Sequence, residues 1–445
     1  MRKENDVVAV PEDTMILGEN QYYSKDCIKT QLNNNVVVVG TSGAGKTRSV
    51  VRPNLMQASG SYVVSDPKGN LAKTMGPYLE SKGYKVVTID FIHPDKSLKY
   101  NPIGYCHNTT DIRQLAHTLT YELSQGKYAT TTKDPFWDDT ALLLLCAIIG
   151  YMLETDEIDE SDKNLMTLSK LLRLATRTKS SLLDGHGEAP LDERMKAHKM
   201  MMELEGKESW AWDRYDEFIT APNRTHATIV ISTISKMVTF DTLETRKMIS
   251  GNDIDFTDIG KRPTALFVEV SDTDRSMDIL VNLFYTQLMN ELCTYADDCC
   301  ENSCLPVPVQ FILDDFATNA RIDNFQNMIA NIRSRGISAM IMVQSESQLY
   351  AGYGDNAQTI IDNCNTYVYM GGSNPKMADV IAKRANKPAT RILNMPISMS
   401  WIFRRGEEPV LCHNFNLEKF EKEKGFVPGM PAQDTVRDDC VRDEG

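Results

Sequence analysis

The stretch that most constrains this chain is VVVVGTSGAGKT, residues 36–47. Consecutive valines at 36–39 fit a strand buried on both faces, as in the centre of a parallel sheet. The octet Gly40, Thr41, Ser42, Gly43, Ala44, Gly45, Lys46 and Thr47 fits the phosphate-binding loop G-x-x-x-x-G-K-[ST]. Its glycines let the backbone curl until successive N–H groups point inward and form a concave anion site. The helix expected to start near Lys46 adds its positive N-terminal end. Lys46 is then placed to reach the β- and γ-phosphates, and the Thr47 hydroxyl to ligate Mg²⁺. A chance glycine turn would share the composition but not the order of strand, loop and Gly-Lys-Thr. The stretch therefore predicts a nucleotide-binding protein.

The segments around it extend the pattern. A strand at 61–65, a helix at 71–82 ended by Gly83 and a strand at 84–89 follow the loop. Alternation of this kind indicates a doubly wound parallel sheet. The helix after the loop, 48–56, must accommodate Pro53 in its first turns or kink there. An edge strand is expected around 14–17. Beyond Pro102 the pattern changes. Helices are expected at 111–123, 135–153, 164–175, 191–204 and 209–219, with hardly a strand among them. A helix at 224–239 is expected to lead back to the sheet, and strands resume at 264–270, 309–313, 338–343 and 366–370. The fold class is thus α/β, with a mainly parallel sheet. A first part (1–105) and a second part (223–427) of a nucleotide-binding domain flank an inserted all-α domain (106–222), and an acidic flexible tail follows (428–445).

Composition narrows the partners. The net charge of −13 gives the bulk surface no attraction for nucleic acid, so any such contact needs a local basic face. The ten cysteines include no C-x-x-C pair, which fits reduced thiols better than a zinc site. The most apolar run, ALLLLCAIIGYML at 141–153, is shorter than the roughly 20 residues that cross a bilayer and is expected to be a buried helix.

A phosphate loop needs an acid at the end of a neighbouring strand. VQFILDD, residues 309–315, supplies two carboxylates where open α/β sheets bind ligands. Asp314 would hold the Mg²⁺ shell and Asp315 would orient the attacking water; a helix N-cap is the plainer alternative for such aspartates. The strand at 338–343 ends in Gln344, which is either a γ-phosphate sensor or a polar helix start. Arg333 and Arg335 precede that strand. Either a guanidinium reaches transferring phosphate, or both arginines cap a solvated helix end.

These residues together carry a resemblance. GTSGAGKT, SDPKGN, DPFWDDTALLLL, ILDDFATN, IRSRG and VQSESQL, in that order and with a helical insertion, resemble the coupling ATPases of conjugative type IV secretion, the TraG/TraD-like proteins. The resemblance implies a RecA-like motor that assembles as a homo-hexamer. It would use ATP and Mg²⁺ to move single-stranded or duplex DNA, with its attached relaxase, towards the secretion channel and its membrane components. Lys46 and Thr47 then match Walker A, Asp314 the Walker B acid, Gln344 the polar sensor and Arg333 an arginine finger acting in trans.

Two features depart from that family. Its second acid is usually Glu, whereas Asp315 is one methylene shorter, and a misplacement of about 1 Å can cost about 10²-fold in rate. Its usual transmembrane pair ahead of the loop is not found between residue 1 and Gly40. The expectation is a cytoplasmic motor brought to the inner membrane face by a partner, or by an anchor missing from this sequence. An FtsK/HerA-like translocase and a nucleotide-gated adaptor with little turnover are the rival readings. Two basic clusters, Lys170, Arg173, Arg177 and Lys179 and then Lys383, Arg384, Lys387 and Arg391, are read as solvated faces. Trp210, Trp212, Tyr215 and Phe218 are read as packing of the inserted domain and not as a base-stacking surface.

Overall fold

A computed structural model describes residues 10–121, 135–177, 188–221, 223–316 and 321–426. The acidic tail and Lys179 lie outside the described residues. In chain order the strands are β1 (Thr14–Gly18), β2 (Gln21–Ser24), β3 (Val36–Val39), β4 (Ser61–Asp66), β5 (Lys85–Asp90), β6 (Thr264–Glu269), β7 (Val309–Leu313), β8 (Ile337–Val343), β9 (Thr366–Tyr369), β10 (Met399–Arg404) and β11 (Val410–His413).

Nine strands form one sheet in the order β11-β10-β9-β3-β8-β7-β4-β6-β5. Its centre, from β9 to β6, is parallel throughout. Every residue of β3, β4 and β7 is buried, as strands covered on both faces require. The hairpin β10–β11 is antiparallel and extends the sheet beyond β9. Sequence reading missed it because the burial of these strands is uneven, which leaves no continuous apolar run. β1 exists, but it does not edge this sheet. It pairs with β2 in a separate two-stranded ribbon.

Asn54 ties that ribbon to the helix behind the phosphate loop. Its side chain accepts from the Ile16 N–H (3.0 Å) and donates to the carbonyls of Ile16 (2.8 Å) and Val50 (2.7 Å). With the residue fully buried, these bonds satisfy an amide that would otherwise cost about 1–3 kcal/mol. The same helix explains how Pro53 is tolerated. Residues Thr47–Val51 form a wide π turn, with the Arg52 N–H bonded to the Thr47 carbonyl. That widening comes just before Pro53, whose ring clashes with a carbonyl four residues back in a regular helix.

The described chain divides into two compact units. One holds the sheet, with residues up to 88, 256–272 and from 291 onwards; the other contains 89–255 and 273–290. The helical unit is therefore wider than the expected insertion of 106–222. The helix Asn223–Met237 does not lead back to the sheet: it packs on Leu165–Leu174 and Pro135–Glu154. The chain re-enters the sheet unit only at Phe256, leaves it after Asp272, and returns for good within the helix Asp278–Cys299. Periodicity shows a helix but not what its apolar face packs against, so this boundary was not legible in the sequence.

The helix Pro135–Glu154 is long and apolar enough to span a membrane, yet most of it is buried inside the fold. It crosses Trp210–Ile219 closely at Gly150, where a Cβ would lie 3.1 Å from that of Ala211 and 3.2 Å from the Trp210 ring. Trp212 is covered by Lys199, and Tyr215 and Phe218 are buried. These aromatics pack the helical unit, as expected from sequence.

Candidate nucleotide site

The phosphate loop follows β3 at the carboxyl end of the parallel strands. Gly43 and Gly45 sit at φ +78° and +90°, a region that costs a side chain about 1–2 kcal/mol and glycine almost nothing. The loop exposes Thr41, Ser42 and Gly43 but buries Ala44 and Lys46. Gly40 has Met370 and Ala44 against it, with 2.9 Å between a built Cβ and that of Met370; the loop base is close-packed. The Lys46 ammonium donates to the carbonyls of Gly40 (2.6 Å) and Thr41 (3.4 Å).

Tertiary structure brings the acids to this loop. The Thr47 hydroxyl donates to Asp314 Oδ2 at 2.5 Å. Asp314 is buried, and its backbone carbonyl accepts from the Ser65 hydroxyl at 3.2 Å. Asp315 adopts φ +49°, which turns the chain at once after β7, and its N–H donates to Asp314 Oδ1 (3.1 Å). The next N–H, of Phe316, bonds the Met342 carbonyl of β8.

Burial pushes the Asp314 carboxyl above its ordinary range and the neighbouring Asp315 charge adds to this; the Thr47 hydroxyl and Lys46 oppose it. Burial likewise lowers the Lys46 ammonium, against the pull of Asp315 and Asp314. The loop, its lysine and both acids thus share one electrostatic environment. Thr47 and Asp314 offer hard oxygens 2.5 Å apart, a donor set suited to Mg²⁺.

β8 lies between β3 and β7, so Gln344 leaves the sheet between the phosphate loop and the acids. It is half-buried, and its N–H is held by Gln348 Oε1 at 2.9 Å. Asp66, from the SDPKGN segment, does not reach the loop. Its carboxylate caps the helix Asn70–Ser81 through the N–H groups of Asn70 (3.1 Å) and Ala72 (2.9 Å).

The two arginines have separate surroundings. Arg335 makes a bidentate pair with Asp297 (2.9 and 2.6 Å) and donates to the Asn331 carbonyl (2.9 Å). Arg333 is exposed and donates to the Cys27 carbonyl at 2.9 Å. Both sit at the amino end of β8, whose seven residues put them roughly 20 Å from the loop of the same chain. Among the basic clusters, Lys170 pairs with Glu188 (2.6 Å), Arg173 with Asp241 (2.6 Å) and Arg384 with Glu346 (3.7 Å).

Sequence reading missed one part of the site. A cavity of about 810 Å³ opens beside the loop, lined by Ala44, Gly45, Arg48 and Ser49 and by residues 413–418 from the end of β11 onwards. Its far wall follows the missed hairpin, so only a recognised β10–β11 would have pointed to it.

The family described as type IV secretory system conjugative DNA transfer matches residues 2–391. No curated protein matches the sequence significantly. Among solved structures, the bacterial conjugative coupling protein TrwBdeltaN70 with sulphate aligns at a TM-score of 0.66 and 14% identity, covering 96% of this chain and 93% of that one. TrwB with ADP and Mg²⁺ aligns at 0.61 and 14% identity over 95% and 97%. VirB4 of Thermoanaerobacter pseudethanolicus aligns at 0.51 and 12% identity over 92% and 98%. At such identities these likenesses establish the fold.

Proposed function

The chain belongs to the type IV secretory system conjugative DNA transfer family, and we propose that it is a coupling ATPase in which this site hydrolyses ATP. The observation that carries the reading is the Thr47–Asp314 contact, which joins phosphate loop and acid across an intervening strand. TrwB, which shares the fold, binds ADP and Mg²⁺.

In this reading Lys46 leaves the Gly40 carbonyl to hold the β- and γ-phosphates, and the loop N–H groups cradle the remaining oxygens. Thr47 and Asp314 are the residues that would hold Mg²⁺, which when bound would supply charge neutralisation on the phosphates. The nucleoside end extends into the cavity beside Arg48 and Ser49. Asp315 accepts the proton of the attacking water or orients it, and Gln344 contacts the water or the γ-phosphate. Arg333 is too far from its own loop to act there, which supports its service to a neighbouring subunit of a hexameric ring.

The work done by hydrolysis is transfer of DNA, with a bound relaxase, to the membrane components of the secretion channel, at the cytoplasmic face of the membrane. The short acid Asp315 favours a second reading: a nucleotide-gated adaptor that binds ATP and turns it over slowly. ATP turnover with and without single-stranded and duplex DNA separates the two. DNA-stimulated turnover abolished by Lys46→Ala is expected. ATP binding with no turnover at any DNA concentration would favour the adaptor.

A further inference from the structure

Two short helices follow β9, Pro375–Ala385 and Ala389–Leu393, and pack on one another. Asn386, at φ +50°, ends the first, and Pro388 leads into the second, the turn chemistry of a helix hairpin. Ala378, Ile381, Ala382 and Ala385 are buried, which leaves the opposite face of the first helix to solvent. Lys376 and Lys383 share that face, about 10 Å apart along the helix. Lys387 follows at the turn and Arg391 lies on the second helix; all four cations are exposed. A hollow of about 560 Å³ is lined by Lys383, Asn386 and Lys387, with Asp379 as the carboxylate beside them.

The two basic clusters differ in what neutralises them. Lys170 and Arg173 each have a carboxylate at 2.6 Å. In the hairpin, Arg384 is paired with Glu346 at 3.7 Å and lies 4.3 Å from the Tyr367 ring centroid. The side chains of Lys376, Lys383, Lys387 and Arg391 have no hydrogen bond or ion pair among the described residues. In a chain of net charge −13, unneutralised cations on one face make a local field opposite to that of the bulk surface, which draws a polyanion.

The hairpin is also joined to the nucleotide site. The Gly371 carbonyl, just ahead of the first helix, accepts from the Thr41 N–H of the phosphate loop at 3.5 Å. Glu346, the partner of Arg384, accepts from the Tyr367 hydroxyl at 2.7 Å and lies just after Gln344. A surface that grips cargo in step with nucleotide needs such connections to both loop and sensor strand.

We propose that this hairpin face is a contact surface for the DNA backbone, with Lys376, Lys383 and Lys387 meeting phosphates. Lysines are point charges on flexible stems and neutralise phosphates without reading sequence. The choice of DNA rests on the transfer function proposed above; the unneutralised face does not.

The test uses full-length Lys46→Ala protein without nucleotide, so that binding is read apart from hydrolysis. Fluorescence anisotropy with labelled single-stranded and duplex oligonucleotides of mixed sequence is followed across a salt series. Combined Lys376→Ala, Lys383→Ala and Lys387→Ala should weaken binding about tenfold or more and lower the slope of log K against log salt by about 2 to 3. Asp379→Asn should tighten binding. Combined Lys170→Ala and Arg173→Ala, in the paired cluster, should change it less than about twofold. The proposal is overturned if neither oligonucleotide binds, if the triple variant keeps the parent's affinity and slope, or if the paired-cluster variant loses as much. It is also overturned if the triple variant loses only binding to phosphatidylserine vesicles, which would make the face a membrane contact. Each of these results leaves the ATPase reading to the turnover assay, which is measured without DNA as well as with it.

Discussion

The Thr47 hydroxyl donates a 2.5 Å hydrogen bond to Asp314 Oδ2, joining residues 267 apart in the chain. Thr47→Ala removes the hydroxyl and leaves a buried carboxylate without this donor. Turnover with Mg²⁺ should fall at least ~10²-fold, while binding of nucleotide without Mg²⁺ changes little. Steady-state assays beside fluorescence binding with and without EDTA check this.

The buried Asp314 carboxylate comes at a cost to the fold. Its carboxyl is pushed up from 3.8, chiefly by burial. The stability it contributes is therefore present below pH 3.8 and lost as pH rises through its folded value. Asp314→Asn should raise the melting midpoint of the nucleotide-free protein at pH 7 by ~2 °C. The gain should vanish towards pH 3.8, and hydrolysis should be abolished. Differential scanning calorimetry at the two pH values, with one ATPase assay, reads all three.

Asp315 occupies the left-handed region at φ +49°, where Asn is among the best-tolerated substitutes. Asp315→Asn should fold like the parent and lower kcat by about 10²–10⁴-fold, with the KM for ATP changed less than threefold. An unchanged kcat would remove Asp315 from the chemistry.

Arg333 and Arg335 should separate by readout. Arg333→Ala is expected to lose ~10³-fold in turnover without loss of stability. Arg335→Ala breaks the pair with Asp297 and should cost less than about 2 kcal/mol of stability. Mixed rings of Arg333→Ala and Lys46→Ala subunits should recover part of the activity. Complete failure to complement would count against action in trans.

In the helical unit, Glu154 accepts from His198 Nε2 (2.9 Å), Ser209 Oγ (2.7 Å) and the Ala211 N–H (3.0 Å). Burial raises its carboxyl, but these bonds outweigh burial and hold it below 4.5. Its contribution is present above pH 4.5 and lost as pH falls through the lower folded value. Glu154→Ala should destabilise the unit by about 2–3 kcal/mol at pH 7, a difference that narrows on acidification. Urea unfolding followed by tryptophan fluorescence at pH 7 and pH 4 measures both.

Local chemistry determined much of this protein in advance. Four valines and a Gly-Lys-Thr loop can form few things besides a buried strand feeding a phosphate cradle, and β3 and its loop stand where those residues imply. The β7 acids were legible for the same reason, since an apolar run ending in carboxylates places them at a strand's carboxyl end. Tertiary structure decided what depends on neighbours. Strand order put β8 between loop and acids and brought Thr47 onto Asp314. The pairing of Arg335 with Asp297 separated two arginines that spacing left equivalent and that only the family resemblance had told apart. The helix Asn223–Met237 went to the helical unit because its neighbours there take its buried side chains. Propensity and spacing act within about a dozen residues, whereas burial and electrostatic pairing are properties of surfaces brought together from hundreds of residues apart.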